Sequence, residues 1–116
     1  MDDCIFCRMV RGDIPARKVH EDAEVLAFHD IHPQAPIHFL IIPKIHVASL
    51  AECDASHAPI LGRMMALVPR LAAELGAVDG FRTIINSGRV GGQEVYHLHI
   101  HIIGGPRPLG RMLASG

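Results

Sequence analysis

The spacing of apolar residues predicts two helices of different length. The longer one is expected from Ser56 to Gly76, where apolar residues recur at steps of three and four and Gly76 provides a natural stop. Ser56 is the expected N-cap residue. Pro69 lies inside this stretch and should lose a backbone hydrogen bond, which predicts a kink. A shorter helix is predicted from Cys7 to Gly12.

Short apolar runs predict the strands. The segment 19–28 is interrupted by an acidic turn at Glu21 and Asp22, and the segment 81–85 is rich in β-branched residues. The run 37–42 is almost continuously apolar, as expected for a central strand covered on both faces, with His38 as its one polar residue. Because the strands cluster in sequence instead of alternating with helices, the fold class is predicted as α+β, with an antiparallel sheet of about five strands.

Three histidines occupy every second position of the last predicted strand, at His97, His99 and His101. In an extended chain they share one face at steps of about 6.6 Å. An ordinary half-exposed strand with a histidine solvent face is the simpler interpretation, but solvent faces are usually mixed, and three imidazoles favour a functional site. The alternating apolar residues, expected on the buried face, are Leu98, Ile100 and Ile102.

Imidazoles on one strand face allow two kinds of chemistry. A neutral histidine is a competent nucleophile toward phosphorus and can divide one displacement into two easier steps. A zinc hydrolase is the alternative, but three side chains on one flat strand face converge poorly on a single tetrahedral ion, so at most one of them is expected to be a ligand. The strand therefore favours phosphorus chemistry over a zinc hydrolase.

Composition limits the classes of protein and partner. The chain has 116 residues and is expected to form a single domain over 1–116. A net charge of −1 argues against a nucleic acid or an anionic membrane as partner. With 49% hydrophobic and 20% charged residues, a homodimer that covers apolar surface is expected. No signal peptide or membrane span is visible, which predicts a cytoplasmic protein.

The histidine-rich strand and several other segments resemble the histidine triad (HIT) superfamily. The alternation of histidine with hydrophobic residues at 97–103 is its specific motif. The resemblance covers nearly the whole chain and is strongest to bacterial members of the nucleotide-binding, purine nucleoside phosphoramidase branch. Its other segments are 13–15, 27–46, 85–88, 91–101 and the tail 105–114.

This resemblance implies a fold and an activity. The branch hydrolyses adenosine 5'-phosphoramidates and aminoacyl adenylates to AMP through a covalent adenylyl-histidine, as a homodimer whose two sheets join into one. Two alternatives remain open. One is a dinucleoside polyphosphate hydrolase or nucleotidylyltransferase of the same superfamily, and the other is a non-catalytic, zinc-stabilised module that senses nucleotides.

The resemblance also implies roles for the histidines. His99 takes the place of the nucleophile, and His101 would bind phosphate oxygens beside it. His97 and His38 would sit behind these two residues. Neither a P-loop lysine nor a carboxylate cluster suited to magnesium is visible, so no catalytic magnesium is expected.

Loop residues complete the expected nucleotide site. Asp30, with Ile31, matches the carboxylate that accepts both ribose hydroxyls, although Asp30 also suits a turn cap. Asn86 and Gly88 correspond to positions near the α-phosphate, and the segment Asn-Ser-Gly is equally common turn material.

A second loop segment, Gly92, Gln93 and Glu94, resembles the part of the family that faces the phosphate. Gln93 is expected to donate a hydrogen bond to the phosphoryl group. Where animal members usually carry serine, this chain has Glu94. The carboxylate removes a possible proton donor to the leaving amine and leaves that assistance in doubt.

Cys4 and Cys7 form a CxxC pair that has several interpretations. Alone, it suits two small buried thiols, a redox pair or a metal site. Members of the family with this pair bind structural zinc through both cysteines, the histidine of a "PKxH" segment and the first histidine of the triad. Here those histidines are His46 and His97, and two thiolates with two imidazoles are a sound zinc ligand set. The remaining cysteine, Cys53, is expected to be a small apolar residue.

Overall fold

A computed structural model describes residues 4–113 as a five-stranded sheet with one short and one long helix. Residues 1–3 and 114–116, which include the last residue of the tail segment 105–114, lie outside the described residues. The strand order is β1-β2-β3-β5-β4, and every neighbouring pair is antiparallel, which confirms the predicted fold class. The strands are β1 (Lys18–Glu21), β2 (Val25–His29), β3 (Ile37–Pro43), β4 (Arg82–Ile84) and β5 (Ile100–Gly104).

Strand β3 lies at the centre of the sheet between β2 and β5. All of its residues after Ile37 are buried, as its continuous apolar sequence predicts. Leu40 pairs with His101 and His38 pairs with Ile103 across to β5. Directly opposed residues share a face of the sheet, so Leu40 and His101 lie on the same face. His38 is two residues from Leu40 and returns to that face, so the side chains of His38 and His101 are diagonally adjacent.

The two faces of the sheet carry separate apolar clusters. The long helix α2 (Ala58–Glu74) packs on one face through residues such as Met64 and Leu71. The short helix α1 (Ile5–Arg11) lies on the other, where Phe6 joins a second cluster. The residues of that second cluster are Phe6, Leu26, Phe28, Leu40 and Ile42. The histidine site therefore shares its face with α1.

Helix α1 begins earlier than the predicted start at Cys7. It starts at Ile5 because Cys4 acts as the N-cap residue, its sulfur accepting a hydrogen bond from the Cys7 amide at 3.4 Å. The predicted end at Gly12 is confirmed, since Gly12 adopts a left-handed conformation with φ 80°. The earlier start places both cysteines at the beginning of the helix.

The predicted N-cap of the long helix is also wrong. A 3₁₀ turn at Ala55–His57 precedes α2, and the N-cap residue of α2 is His57, which makes no side-chain capping hydrogen bond. The side chain of Asp54 caps the 3₁₀ turn instead, accepting from the Ser56 amide at 2.9 Å. Helix α2 then continues through Pro69 to Glu74 as one helix. The kink at Pro69 stays a prediction, and Gly76 follows the helix with φ 100°, as expected of a stop.

The histidine strand is shorter than predicted. Strand β5 begins at Ile100, so of the three histidines only His101 belongs to the sheet ladder. The residues before Ile100 lie outside the ladder. There the amide of Leu98 donates to the carbonyl of Val47, at 2.8 Å. The predicted burial of the alternate residues is confirmed, because all three belong to the α2-side cluster: Leu98, Ile100 and Ile102.

Among residues 4–113, no helix combines the length and the apolar character that crossing a membrane requires.

Candidate functional site

A cavity of about 400 Å³ opens on the α1 side of the sheet. Most residues predicted for a nucleotide site line it together, although they come from distant parts of the chain. The exceptions are Gln93, His97 and Gly88, which are not among its lining residues. The predicted residues that do line it are Asp30, Ile31, His38, Asn86, Gly92, Glu94, His99 and His101.

His99 lies at the inner wall of this cavity with a fixed ring orientation. Its side chain is only 6% exposed, yet it lines the cavity. Its Nδ1 lies 2.7 Å from the carbonyl oxygen of His97, and since a carbonyl only accepts, Nδ1 carries the hydrogen. Neutral His99 therefore keeps a lone pair on Nε2. The rings of Phe6 and His101 pack edge-on against it, at centroid distances of 5.3 and 4.9 Å.

A chain of hydrogen bonds fixes the tautomers of the next two histidines. The backbone amide of Gln34 donates to Nδ1 of His38 at 2.9 Å, so the hydrogen of neutral His38 is on Nε2. His38 Nε2 donates to Nδ1 of His101 at 2.9 Å. The distance from the same Nε2 to Asp30 Oδ2 is longer, at 3.4 Å. His101 must then carry its own hydrogen on Nε2. The site thus holds one imidazole acceptor at His99 beside one imidazole donor at His101.

Burial favours the neutral forms of His38 and His101. Burial lowers the pKa of His38, against the opposing effect of Asp30. Burial, together with the neighbouring His99 and His38, lowers the pKa of His101 to about 4. Neutral rings are required for the chain of donors and acceptors described above, so the pKa shift and the geometry agree.

One end of the cavity is apolar, and the sequence did not identify its residues. Helix α1 and strand β2 supply these side chains, and Phe6 packs edge-on against Phe28 at 5.3 Å. The recurrence of apolar residues in α1 at three- and four-residue steps was the available signal, but α1 was predicted to start only at Cys7. The apolar lining residues of this end are Ile5, Phe6, Met9 and Phe28.

Gln93 has a different position from the one predicted. Its amide nitrogen donates to the carbonyls of Ala48 at 2.7 Å and Val95 at 2.9 Å, and its amide oxygen accepts from the Gly88 amide at 2.9 Å. The side chain is buried and all of these groups are engaged within the protein. Gln93 therefore holds the loop in place, and the expectation that it donates to a phosphoryl group is corrected.

The same loop depends on a glycine at a point of close approach. A Cβ atom on Gly91 would lie 2.5 Å from the carbonyl oxygen of Ser87, a distance that real Cβ contacts do not show. The amide of Gln93 also donates to the Gly88 carbonyl at 3.0 Å. These backbone contacts and the Gln93 side chain together fix the loop that carries Asn86 and Glu94 to the cavity.

Four residues predicted as metal ligands come together beside this site. The ligand atoms of Cys4, Cys7, His46 and His97 all lie within 4.8 Å of one another. His97 Nδ1 is 3.4 Å from the Cys4 sulfur and 3.6 Å from the Cys7 sulfur. His46 Nδ1 is 3.3 Å from the Cys7 sulfur and 3.2 Å from His97 Nδ1. The cluster is a possible metal-binding site.

The geometry and protonation of the cluster suit a tetrahedral ion. Bonds of about 2.0–2.3 Å to zinc place neighbouring ligand atoms about 3.3–3.8 Å apart, close to the separations observed. His97 Nε2 donates to the Pro43 carbonyl at 2.8 Å, which leaves its Nδ1 lone pair directed at the cluster. Burial and the adjacent Cys4 raise the pKa of Cys7, so the thiolate needs a cation to offset its charge.

Comparison with known proteins agrees with these features. A model of the HIT domain matches residues 11–107. Protein HitA of Neisseria gonorrhoeae is 55% identical over 106 residues, covering 91% of this chain and 99% of that protein. A purine nucleoside phosphoramidase of Escherichia coli strain K12 is 48% identical over 114 residues, covering 97% of this chain and 95% of that protein.

The fold is shared with solved structures as well. A HIT family hydrolase from Clostridium thermocellum superposes with a TM-score of 0.92 at 38% identity, covering 97% of this chain and 99% of that chain.

Replacing Gln93 with leucine should destabilise the protein. The substitution leaves the two accepting carbonyls and the Gly88 amide without their partner, at a cost of about 2–3 kcal/mol in the free energy of unfolding. Urea denaturation measures this value, and faster hydrogen exchange at the Gly88 amide locates the effect. The other glutamine, Gln34, has an exposed side chain, so Gln34→Leu should change stability by less than about 0.5 kcal/mol. Equal effects of the two substitutions would contradict the role given to Gln93.

Acid should destabilise the protein partly through His101. Its folded pKa of about 4 lies below the ordinary value of 6.5, so between these pH values the unfolded chain binds more protons. The free energy of unfolding should therefore fall as the pH falls from 6.5 to 4. In the His101→Gln variant this loss should be smaller, as measured by denaturant titration at several pH values. A variant with the same pH dependence as the original protein would exclude His101 as a source of the effect.

Proposed function

The chain belongs to the HIT domain family, and from this premise we propose that it is a hydrolase that cleaves adenosine 5'-phosphoramidates, and aminoacyl adenylates, to AMP. The reaction class is supported by the E. coli relative, which is named a purine nucleoside phosphoramidase. The observation that carries the proposal is the orientation of His99, whose Nε2 lone pair is free while its ring lines the cavity.

The proposed reaction has two displacements at phosphorus. His99 Nε2 attacks the α-phosphorus, a nitrogen–phosphorus bond forms, and the bond to the leaving amine breaks with its electron pair going to the amine nitrogen. The amine leaves with a proton taken up from solvent. Water then attacks the adenylyl-histidine and gives a proton back to solvent, the bond to His99 breaks, and AMP is released with His99 restored. Fixed positions of the reacting groups supply much of the catalysis.

Neutral donors bind the phosphate in this proposal. The Nε2 hydrogen of His101 is available beside His99, and the side-chain amide of Asn86 also lines the cavity. His97 and His38 act behind them. His97 accepts from His99 through its carbonyl oxygen, and His38 sets the tautomer of His101. These two residues act by positioning the reacting rings.

The remaining lining residues suit a nucleoside. Asp30 is an acceptor-only group, and one of its oxygens already accepts from the His32 amide at 2.7 Å, which fixes its orientation. Its role is to accept from the ribose hydroxyls, with Ile31 next to it. The apolar end formed by α1 and Phe28 provides a surface for the base. Gly92 lets the loop backbone approach the phosphate.

Zinc is the ion proposed for the cluster of Cys4, Cys7, His46 and His97. Its contribution there is structural, since it ties the start of α1 to the segment that precedes β5. Cys4 is the N-cap residue of α1 and Cys7 lies inside this helix, and the imidazoles belong to the segments that follow β3 and precede β5. Reduced thiols of this kind persist in the cytoplasm, which is the compartment proposed for the protein.

A homodimer with a sheet continued between copies is part of the same proposal. Strand β4 lies at one edge of the sheet, and among residues 4–113 only β5 pairs with it. Phe81, next to this strand, and Val78 before it are exposed. An unpaired strand edge beside exposed apolar side chains is a surface that pairing with a second copy would cover.

Replacing His99 with alanine should remove the activity. Without a nucleophile, release of AMP from an adenosine 5'-phosphoramidate should fall by more than about a thousandfold. Acid quenching followed by mass spectrometry should find adenylylated His99 in the original protein and none in the variant. The matched control is His20→Ala, because His20 lies outside the cavity.

Two results would contradict this assignment. Equal rates of AMP release by the original protein and His99→Ala would remove the central residue of the proposal. Faster cleavage of a dinucleoside polyphosphate than of the phosphoramidate would favour the polyphosphate hydrolase instead.

Replacing Cys4 with serine should lower the zinc content. Serine is a poor ligand for zinc, and the other three ligands alone do not complete a tetrahedral site. Elemental analysis of purified protein should give about one zinc per chain for the original protein and clearly less for Cys4→Ser. Cys53→Ser is the matched control, because Cys53 lies outside the cluster and contacts the Ser49 carbonyl. Equal zinc in the two variants would place the ion elsewhere.

A further inference from the structure

The charge of the cavity wall is unusual for a site that receives an anion. Among the described residues that line it, the only carboxylates are those of Asp30 and Glu94, and neither a lysine nor an arginine is present. Three of the lining imidazoles, His29, His38 and His101, do little to offset these charges, because burial lowers their pKa values. The wall therefore carries negative charge where a phosphate is expected to bind.

Such a wall limits how much negative charge a ligand can carry. Neutral N–H donors such as His101 can bind one phosphate charge. Each further charge on the ligand is repelled by the two carboxylates, without a cation in the wall to offset it. A phosphoramidate of AMP has a single charge at phosphorus, whereas a polyphosphate chain adds more. The charge balance of the cavity therefore favours ligands of low negative charge.

The carboxylates of Asp30 and Glu94 differ in position and in the contacts they make. Asp30 follows β2 and lies 3.4 Å from His38, and one of its oxygens already accepts from the His32 amide. Glu94 is exposed and lies on the fixed loop that also carries Asn86 and Gly92. Glu94 has no ion pair or hydrogen bond with a described residue, so its charge is free to act on a ligand.

The position of Glu94 in the cavity bears on the leaving group. In the proposed reaction the base lies against the apolar side chains of α1 and the phosphorus lies at His99, while Glu94 lines the same cavity from the loop and is exposed to solvent. Because Glu94 is the exposed charge on that loop, we propose that Glu94 selects substrates whose leaving group is positively charged, such as an amine with a second ammonium group, and rejects polyanionic leaving groups. This inference rests on the proposed phosphoramidase function.

Three substrates that differ only in charge test the inference. Each is an adenosine 5'-phosphoramidate with the same short alkyl amine, ending in an ammonium, a neutral amide or a carboxylate. For the original protein, kcat/KM should decrease in that order, by roughly three- to tenfold per step at low salt, and added salt should reduce the differences. In Glu94→Gln the differences should shrink to within about twofold, and in Glu94→Lys the order should reverse.

The control is Glu52→Gln, which removes an equivalent exposed charge outside the cavity. It should retain the order and the sizes of the differences. An unchanged order in Glu94→Gln, or the same change in Glu52→Gln, would overturn the assignment to Glu94.

Equilibrium binding separates a failure of this inference from a failure of the proposed function. Calorimetry with AMP and ADP measures the effect of added negative charge without any turnover. The original protein should bind ADP more weakly than AMP, and Glu94→Gln should narrow the ratio of the two Kd values. If no phosphoramidate is hydrolysed while this ratio behaves as expected, the proposed reaction is wrong and the charge selection stands. If the ratio is the same in both proteins, the charge selection is wrong.

Discussion

The antiparallel register between β3 and β5 is the constraint on which the site depends. With Leu40 opposite His101, the ring of His38 meets the ring of His101 on the face away from α2. A shift of one residue would turn His101 into the apolar cluster under α2. The buried residues of both strands resist that shift, because Phe39 and Ile102 pair with each other inside that cluster. Core packing thus sets the distance between two groups of the site.

Backbone groups then decide which ring nitrogen of each imidazole carries a hydrogen. The carbonyls of Pro43 and His97 accept from His97 and His99, and the amide of Gln34 donates to His38. Since these backbone groups belong to the fold, the orientation of the rings does not require a charged partner. The chemistry of the site consequently rests on neutral groups, in keeping with their lowered pKa values.

The sequence predicted those parts of the structure that depend on local periodicity. Alternation at 97–102 correctly separated the histidines from the apolar side chains, and the apolar run at β3 correctly indicated the centre of the sheet. The start of β5 was wrong because Leu98 bonds to Val47, a contact between distant segments. Gln93 was misassigned for a similar reason, since its partners are carbonyls that only the folded loop brings near. The convergence of the cysteines with His46 and His97 came from the family resemblance, because no local pattern encodes it.

Helix α1 belongs to two sites at once. Cys4 and Cys7 face the sulfur and imidazole cluster, while Ile5 and Met9 face the cavity, and Phe6 touches the rings of His97 and His99. A helix of seven residues has little stability of its own, so its order comes from these contacts. Binding that orders the helix at the cluster lowers the entropic cost of ordering it at the cavity, and the reverse also holds. An ion in the cluster and a ligand in the cavity would both order this helix, and any effect of one on the affinity of the other would be reciprocal.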